Sequence, residues 1–197
     1  MSDPFQPCEK EFKATENIIN VTNDYNIHIL FSTKSDTYYG SNLKPNLHSF
    51  QLSVTNVDNR TDIEPCVPSI ENRLKFFNDL KDKGFRVGIR IQPFIPGVSN
   101  ISILEKFKDA NHFVLEGIKM VPTNTEQRKA ILDITGLSNS DFKNYGLMNL
   151  KPEIRMELYK PFIQWLEENH KSYSLADNDL HYLGNNKCCC GDHLCFY

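Results

Sequence analysis

The chain has 197 residues, a formal net charge of −3 and 40% hydrophobic residues. That is enough to bury one good core with a short appendage, and the charge gives no reason to expect a large nucleic-acid footprint. No run is apolar enough for a membrane span and the polar start MSDPFQPCEKEFK is no signal peptide, so the expected location is the cytoplasm.

Asp3-Pro4 opens the chain as a helix cap or a rigid loop. Helical periodicity then runs from Glu9 to Asn23 through Phe12, Ile18, Ile19 and Val21. Ile27 to Ser32 is a short apolar strand ending in Thr33-Lys34-Ser35, followed by a turn or short helix around Tyr38 to Leu43. Ser49 to Val54 alternates as a second strand and enters a polar loop, Thr55 to Pro65.

Pro68-Ser69 starts the most regular stretch. Leu74, Phe76, Phe77 and Leu80 recur at helical spacing, and Gly84 suits the left-handed position just past the helix end. Phe85, Val87, Ile89 and Ile91 then alternate with Arg86, Gly88, Arg90 and Gln92, a strand that Pro93, Pro96 and Gly97 terminate. Ser99 to Ala110 reads as another helix and Phe113 to Met120 as another strand. Four strands alternating with helices predict a wound parallel sheet or a piece of a (β/α) barrel, with chemistry at the C-terminal ends of its strands. After Val121 the pattern is helical, at Glu126–Thr135, Asn139–Tyr145 and Lys151–His170, with no clear strand. The expected division is residues 1–122 as the partial barrel and 123–197 as a helical extension with a Cys-rich tail.

Cysteine usage is lopsided. Cys8 and Cys66 stand alone, whereas Cys188, Cys189, Cys190 and Cys195 crowd the last ten residues. A secreted disulfide framework would spread its cysteines, so reduced thiols with a local purpose are expected.

The run DPFQPCE, then FSTKS, the strand LSV, EPCVPSIENRL and the strand ending PFIPG together resemble the radical S-adenosylmethionine (radical SAM) superfamily. The closest likeness is to its spore photoproduct lyase-like branch, related to DNA repair photolyases, and it covers roughly Met1 to Met120. The resemblance implies an incomplete (β/α) barrel that binds S-adenosylmethionine and a [4Fe-4S] cluster, with a nucleic-acid substrate by analogy only. Such enzymes hold the cluster with Cys-x3-Cys-x2-Cys, and this sequence has no such triplet. The expectation is therefore a C-terminal part of a radical SAM-like protein, not catalytic alone, with an N-terminal complementing segment as its partner. The alternatives are a non-catalytic fragment and a small metal-binding protein using the terminal cysteines.

By that resemblance Lys34 is expected near the cofactor's carboxylate, and Pro93 to Gly97 along its adenine edge. Ser53 offers a hydroxyl to the cofactor or simply packs inside the barrel; Glu9 accepts from the cofactor's amino group or complements a helix dipole as an exposed first-turn residue. Arg90 points into the barrel, free for an anion or paired to a neighbouring acid. Glu64 and Arg73 are expected as a structural ion pair. Three readings of the tail stand together: metal ligation by Cys188, Cys189 and Cys195, hydrogen-atom donation by Cys190, and a frayed end with reactive thiols.

Overall fold

The fold is that of a computed structural model, in which residues 3–190 are described. Helices α1 (Glu9–Phe12) and α2 (Ala14–Asp24) lead into strand β1 (Ile29–Thr33), and β2 (His48–Ser53) follows. Then come α3 (Ile70–Asp82), β3 (Arg86–Phe94), α4 (Ser102–Lys106) and β4 (His112–Gly117). The rest is β5 (Lys119–Met120), α5 (Thr125–Thr135), β6 (Phe142–Asn144), β7 (Met148–Leu150), α6 (Pro152–Glu168) and β8 (Tyr173–Leu175).

Five strands form one sheet in the order β1-β2-β3-β4-β8, every neighbouring pair parallel. Each strand turns its apolar alternate residues to one side. Phe31, Phe50, Leu52, Val87, Ile89, Ile91, Phe113, Leu115 and Tyr173 form a single core with Ile19 of α2, Phe76, Phe77 and Leu80 of α3, Phe107 after α4, and Phe162 and Leu166 of α6. The aromatic rings interlock within it: Phe50 meets Phe85 edge-on at 5.2 Å and Phe77 meets Phe107 at 5.3 Å. Helices therefore lie against one face, as expected, and the sheet is an incomplete barrel wall with no closure among the described residues.

Local signals explain the element ends. Ser69 caps α3 by accepting from Asn72 N, and Gly84 takes φ +84° just after it, so helix and strand join with almost no loop. The expected first helix is two, because Lys13 adopts a left-handed conformation and breaks it. No helix forms at residues 38–43, and the helix expected over Ser99–Ala110 shortens to α4.

The larger difference lies after Val121. The segment expected to be wholly helical contains three short strands. Residues 139–145, expected as a helix, are a 3-10 turn running into a hairpin: β6 and β7 pair antiparallel with each other, and β7 with β5. β8 adds a fifth parallel strand to the main sheet. Strands of three residues give periodicity nothing to count, and their identity comes from their partners. A second small core, with Ile95, Val98, Met120, Ile131, Phe142 and Leu150, joins the hairpin and α5 to the strand ends.

The hairpin, α6 and the sheet meet at one buried charge. Arg155 of α6 is 3% exposed, pairs with Asp177 at 2.8 Å and Asp179 at 2.6 Å, and donates from Nε to Leu150 O. Asp177 also accepts from Tyr159 Oη at 2.8 Å and from Gly117 N at 3.2 Å. Gly117 leaves room here: a Cβ would sit 3.0 Å from Arg155 Cδ and 3.1 Å from Tyr159 Oη, tight enough that one of them would have to shift.

Replacing Asp177 with Ala leaves Arg155 and Tyr159 buried without their shared acceptor. The expected cost is about 3–5 kcal/mol of unfolding free energy, read from urea titrations. His48, fully buried at the start of β2, accepts from Lys44 N through Nδ1 at 2.9 Å, and its Nε2 has no partner among the described residues. Burial first, then Lys44 and His28, hold its pKa below the ordinary 6.5. The unfolded chain thus takes up this proton at a higher pH than the folded one, so stability present above pH 6.5 is lost as the pH falls below it. His48→Gln is expected to lessen the fall in melting temperature between pH 7 and pH 5.

Candidate functional site at the strand ends and the polar sheet face

The side of the sheet away from the helices is polar. Ser32, Gln51, Arg90 and Glu116 come from four successive strands, and the alternation that buries Phe31, Phe50, Ile89 and Leu115 turns them the other way. Ser32 Oγ donates to Gln51 Oε1 at 3.3 Å, and Arg90 Nη1 reaches the same oxygen at 3.3 Å. Arg90 Nη2 pairs with Glu116 Oε2 at 2.8 Å, and its Nε donates to Gln92. The other oxygen of Glu116 holds Lys119. Arg90 thus faces inward and is paired to an acid.

A second cluster sits at the C-terminal ends of β1 and β2. Lys34 Nζ lies 2.6 Å from Glu64 Oε1, and Asn56 Nδ2 donates to Glu64 Oε2 at 3.1 Å. Arg73, on the first turn of α3 and 3% exposed, approaches Glu64 at 3.8 Å and donates to Ser53 O at 3.0 Å. Its Nε is buried with no hydrogen-bond partner among the described residues, and burial pulls its pKa below the usual value, with Glu64 opposing. The Glu64–Arg73 contact is therefore an ion pair whose carboxylate Lys34 shares. Asp3 completes the cluster, accepting from Lys34 N and Thr33 Oγ1, each at 2.7 Å, and from Phe5 N at 2.9 Å. The opening DPF segment is thereby tied to the end of β1.

Two cavities open beside this cluster. One of about 300 Å3 is lined by Asp3, Phe5, Lys34, Tyr39, Cys66 and Pro68 among others. One of about 140 Å3 lies against Asn56, Glu64 and Arg73. Lys34 and Arg73 stand against Glu64 and Asp3, two cations with two carboxylates. Such a balance suits a zwitterion better than a bare anion.

Of the other residues singled out from sequence, Ser53 ends β2 with its carbonyl held by Arg73. Glu9 is buried rather than exposed: Oε2 accepts from Thr15 N at 2.8 Å, serving the start of α2. Among the described residues, Cys188, Cys189 and Cys190 are not joined in a disulfide. Gln51 Nε2 donates to Cys189 O at 3.1 Å, which lays the tail over the polar face. Among the described residues no three His, Cys, Asp or Glu side chains are grouped to hold a metal, and Cys195 lies outside them. Sequence reasoning missed Gln51 and Glu116, although a lone glutamine between Phe50 and Leu52 is the signal that would have found the first. It also missed the cavity of about 500 Å3 under the β6–β7 hairpin, lined by Lys119, Tyr145, Arg155 and Asp179.

No protein-family model matches the chain. An uncharacterised protein of Methanocaldococcus jannaschii is 32% identical over 111 residues, 53% of this chain and 42% of that protein. Among solved structures, spore photoproduct lyase complexed with a dinucleoside spore photoproduct superposes with a TM-score of 0.57 at 14% identity. That match covers 82% of this chain and 55% of the enzyme. A double mutant of the enzyme with bound AdoMet and the dinucleoside gives 0.57 at 13% identity, over 85% of this chain and 57% of that one. The chain shares the fold of these structures and spans little more than half of their length. No helix among the described residues is long and apolar enough to cross a membrane.

The Glu64 cluster predicts an asymmetry. Glu64→Gln removes the carboxylate paired with buried Arg73 and is expected to cost about 3 kcal/mol or more. Lys34→Met removes a partner that is 38% exposed and is expected to cost about 1 kcal/mol or less. Urea unfolding of the two variants checks the order.

Proposed function

We propose that this chain is the S-adenosylmethionine- and substrate-binding part of a radical SAM-like protein. The observation that carries the reading is the charge-balanced set of Lys34, Glu64, Arg73 and Asp3 at the strand ends, beside a cavity of about 300 Å3. A cofactor that carries an amino-acid zwitterion finds an ammonium for its carboxylate and carboxylates for its amino group there. Parallel sheets bind ligands at this end of their strands, and a structure with the same fold holds AdoMet.

In this reading Lys34 meets the cofactor's carboxylate. The Ser53 hydroxyl and the Ile95–Gly97 turn after β3 border the rest of the molecule. Glu9 contacts the cofactor only by competing with Thr15 N for its carboxylate. Arg90, oriented by Glu116 and Gln92, presents a fixed guanidinium to whatever lies on the polar face. Cys190 acts near the substrate, a role supported by the Gln51–Cys189 hydrogen bond that carries the tail there. A nucleic-acid substrate enters by analogy with the dinucleoside held by the similar structures.

A [4Fe-4S] cluster is held by converging cysteine thiolates, three of them in the family this sequence resembles. The described cysteines do not provide them: Cys188, Cys189 and Cys190 are adjacent in the chain, and Cys8 and Cys66 stand elsewhere. The described residues do not fit a cluster, so the proposal gives this chain binding and positioning and no redox step. Without the cluster the chain is not catalytic alone.

Titration of the isotope-labelled chain with S-adenosylmethionine, followed by amide NMR, tests the reading. Weak, millimolar binding is expected, with shifts confined to the ends of β1 to β4 around Lys34, Val54, Ile95 and Ile118. Lys34→Met should weaken it about tenfold, the loss of one charge-assisted contact. Equal shifts in wild type and Lys34→Met, or shifts confined to the hairpin cavity, would overturn it.

A further inference from the structure

The two edges of the sheet are treated differently. At β8 the outward main chain of Tyr173 is occupied: its N–H donates to Asn185 Oδ1 at 2.8 Å and its carbonyl accepts from Asn186 N at 3.0 Å. The tail thus blunts that edge. At the other edge β1 pairs only with β2, through the registers from Ile29–His48 to Thr33–Leu52. The next outward amide, Lys34 N, is held by Asp3. Those of Leu30 and Ser32 have no partner among the described residues.

The helix beside this edge is apolar on the same side. At about 100° per residue, Thr15 and Ile19 share the buried face of α2. Asn20 and Asn23 fall to one flank, where both bond Asn42 at 2.8 Å in the loop between β1 and β2. That loop also carries Tyr38, which takes a hydrogen bond from Lys83 just after α3. The asparagine flank therefore faces α3. Ile18, Val21 and Tyr25 fall to the opposite flank, toward the open edge, and are 57%, 56% and 73% exposed. Phe12 before the helix and Ile27 after it are 68% and 50% exposed.

We infer that this edge and this flank together are a docking surface for one further helix–strand unit, whose strand adds parallel to β1. Three observations choose that occupant. Helices α3, α4 and α6 each lie in the connection between two neighbouring strands of the sheet, and right-handed crossovers place such a helix over the groove between them. α2 likewise leads into β1, but the strand on the far side of its groove is missing from the described fold. The exposed side chains of Ile18, Val21 and Tyr25 amount to on the order of 300 Å2 of apolar surface, against ~800 Å2 per partner in a standard interface. A strand on Leu30 and Ser32 supplies main-chain bonds and the remaining area. The solved structures that share the fold contain nearly as much chain again as the part matched here. The inference rests on the edge and the helix and needs nothing from the cofactor reading.

The test co-expresses the chain with the polypeptide encoded immediately upstream of it, tagged, and measures association by light scattering and hydrogen exchange. A 1:1 complex is expected, in which the amides of Leu30 and Ser32 exchange at least 100-fold more slowly than in the isolated chain. Val21→Glu with Tyr25→Glu, both on exposed positions, should weaken it at least tenfold. So should Ser32→Pro, whose missing N–H points away from β2 and leaves the β1–β2 ladder intact. Unchanged circular dichroism of each isolated variant establishes that it still folds. A complex indifferent to both sets of substitutions overturns the inference. A homodimer dispersed by the same substitutions overturns it in favour of a second copy, and a monomer that forms no complex overturns it outright.

Discussion

Everything in this molecule depends on a sheet whose two faces have opposite chemistry. Parallel strands are ordinarily apolar on both faces because helices cover both. Here helices cover one. The apolar alternates of β1 to β4 and β8 meet α2, α3, α4 and α6, and the polar alternates are left to satisfy one another. Ser32, Gln51, Arg90, Glu116 and Lys119 do so in one continuous chain of contacts across four strands. A side chain held by two neighbours reorients little when a ligand arrives, which is the condition for a pre-organised surface.

Charge is placed by the same logic away from that face. Arg155 and Arg73 are both 3% exposed, and each has a carboxylate within 4 Å. The two differ in completeness. Arg155 has Asp177, Asp179 and a main-chain carbonyl, an arrangement that locks α6 and the hairpin onto the sheet. Arg73 shares Glu64 with Lys34, and its Nε has no partner among the described residues. A saturated buried guanidinium leaves no donor unused, whereas one with a spare donor still bears the cost of an unmade hydrogen bond.

The tail has two structural duties. Asn185 and Asn186 occupy the main chain of β8, and a few residues later Cys189 O accepts from Gln51 on the polar face. It thereby covers one sheet edge and carries Cys189 over the polar face. The opposite edge at β1 has Asp3 at its C-terminal end alone, and beside it the apolar flank of α2 is in water.

The sequence by itself determined the regular part of the fold. The period-2 runs at Ile29, Phe50, Ile89 and Phe113 and the helical spacing of Leu74 to Leu80 encode the parallel sheet, because each long element carries its own pattern and end signals such as Ser69 and Gly84. It also singled out Arg90, a charge between apolar neighbours, while Lys34, Glu64 and Arg73 stood out through the family resemblance. Only the tertiary structure decided which of them meet. That one carboxylate, Glu64, serves both Lys34 and Arg73, that Glu116 holds Arg90, and that Glu9 is buried under Thr15 N are contacts between residues 6 to 30 positions apart. The short strands β6, β7 and β8 belong to the same class. Three residues have no period of their own, and the main-chain partners that make them strands come from parts of the chain that folding brings together.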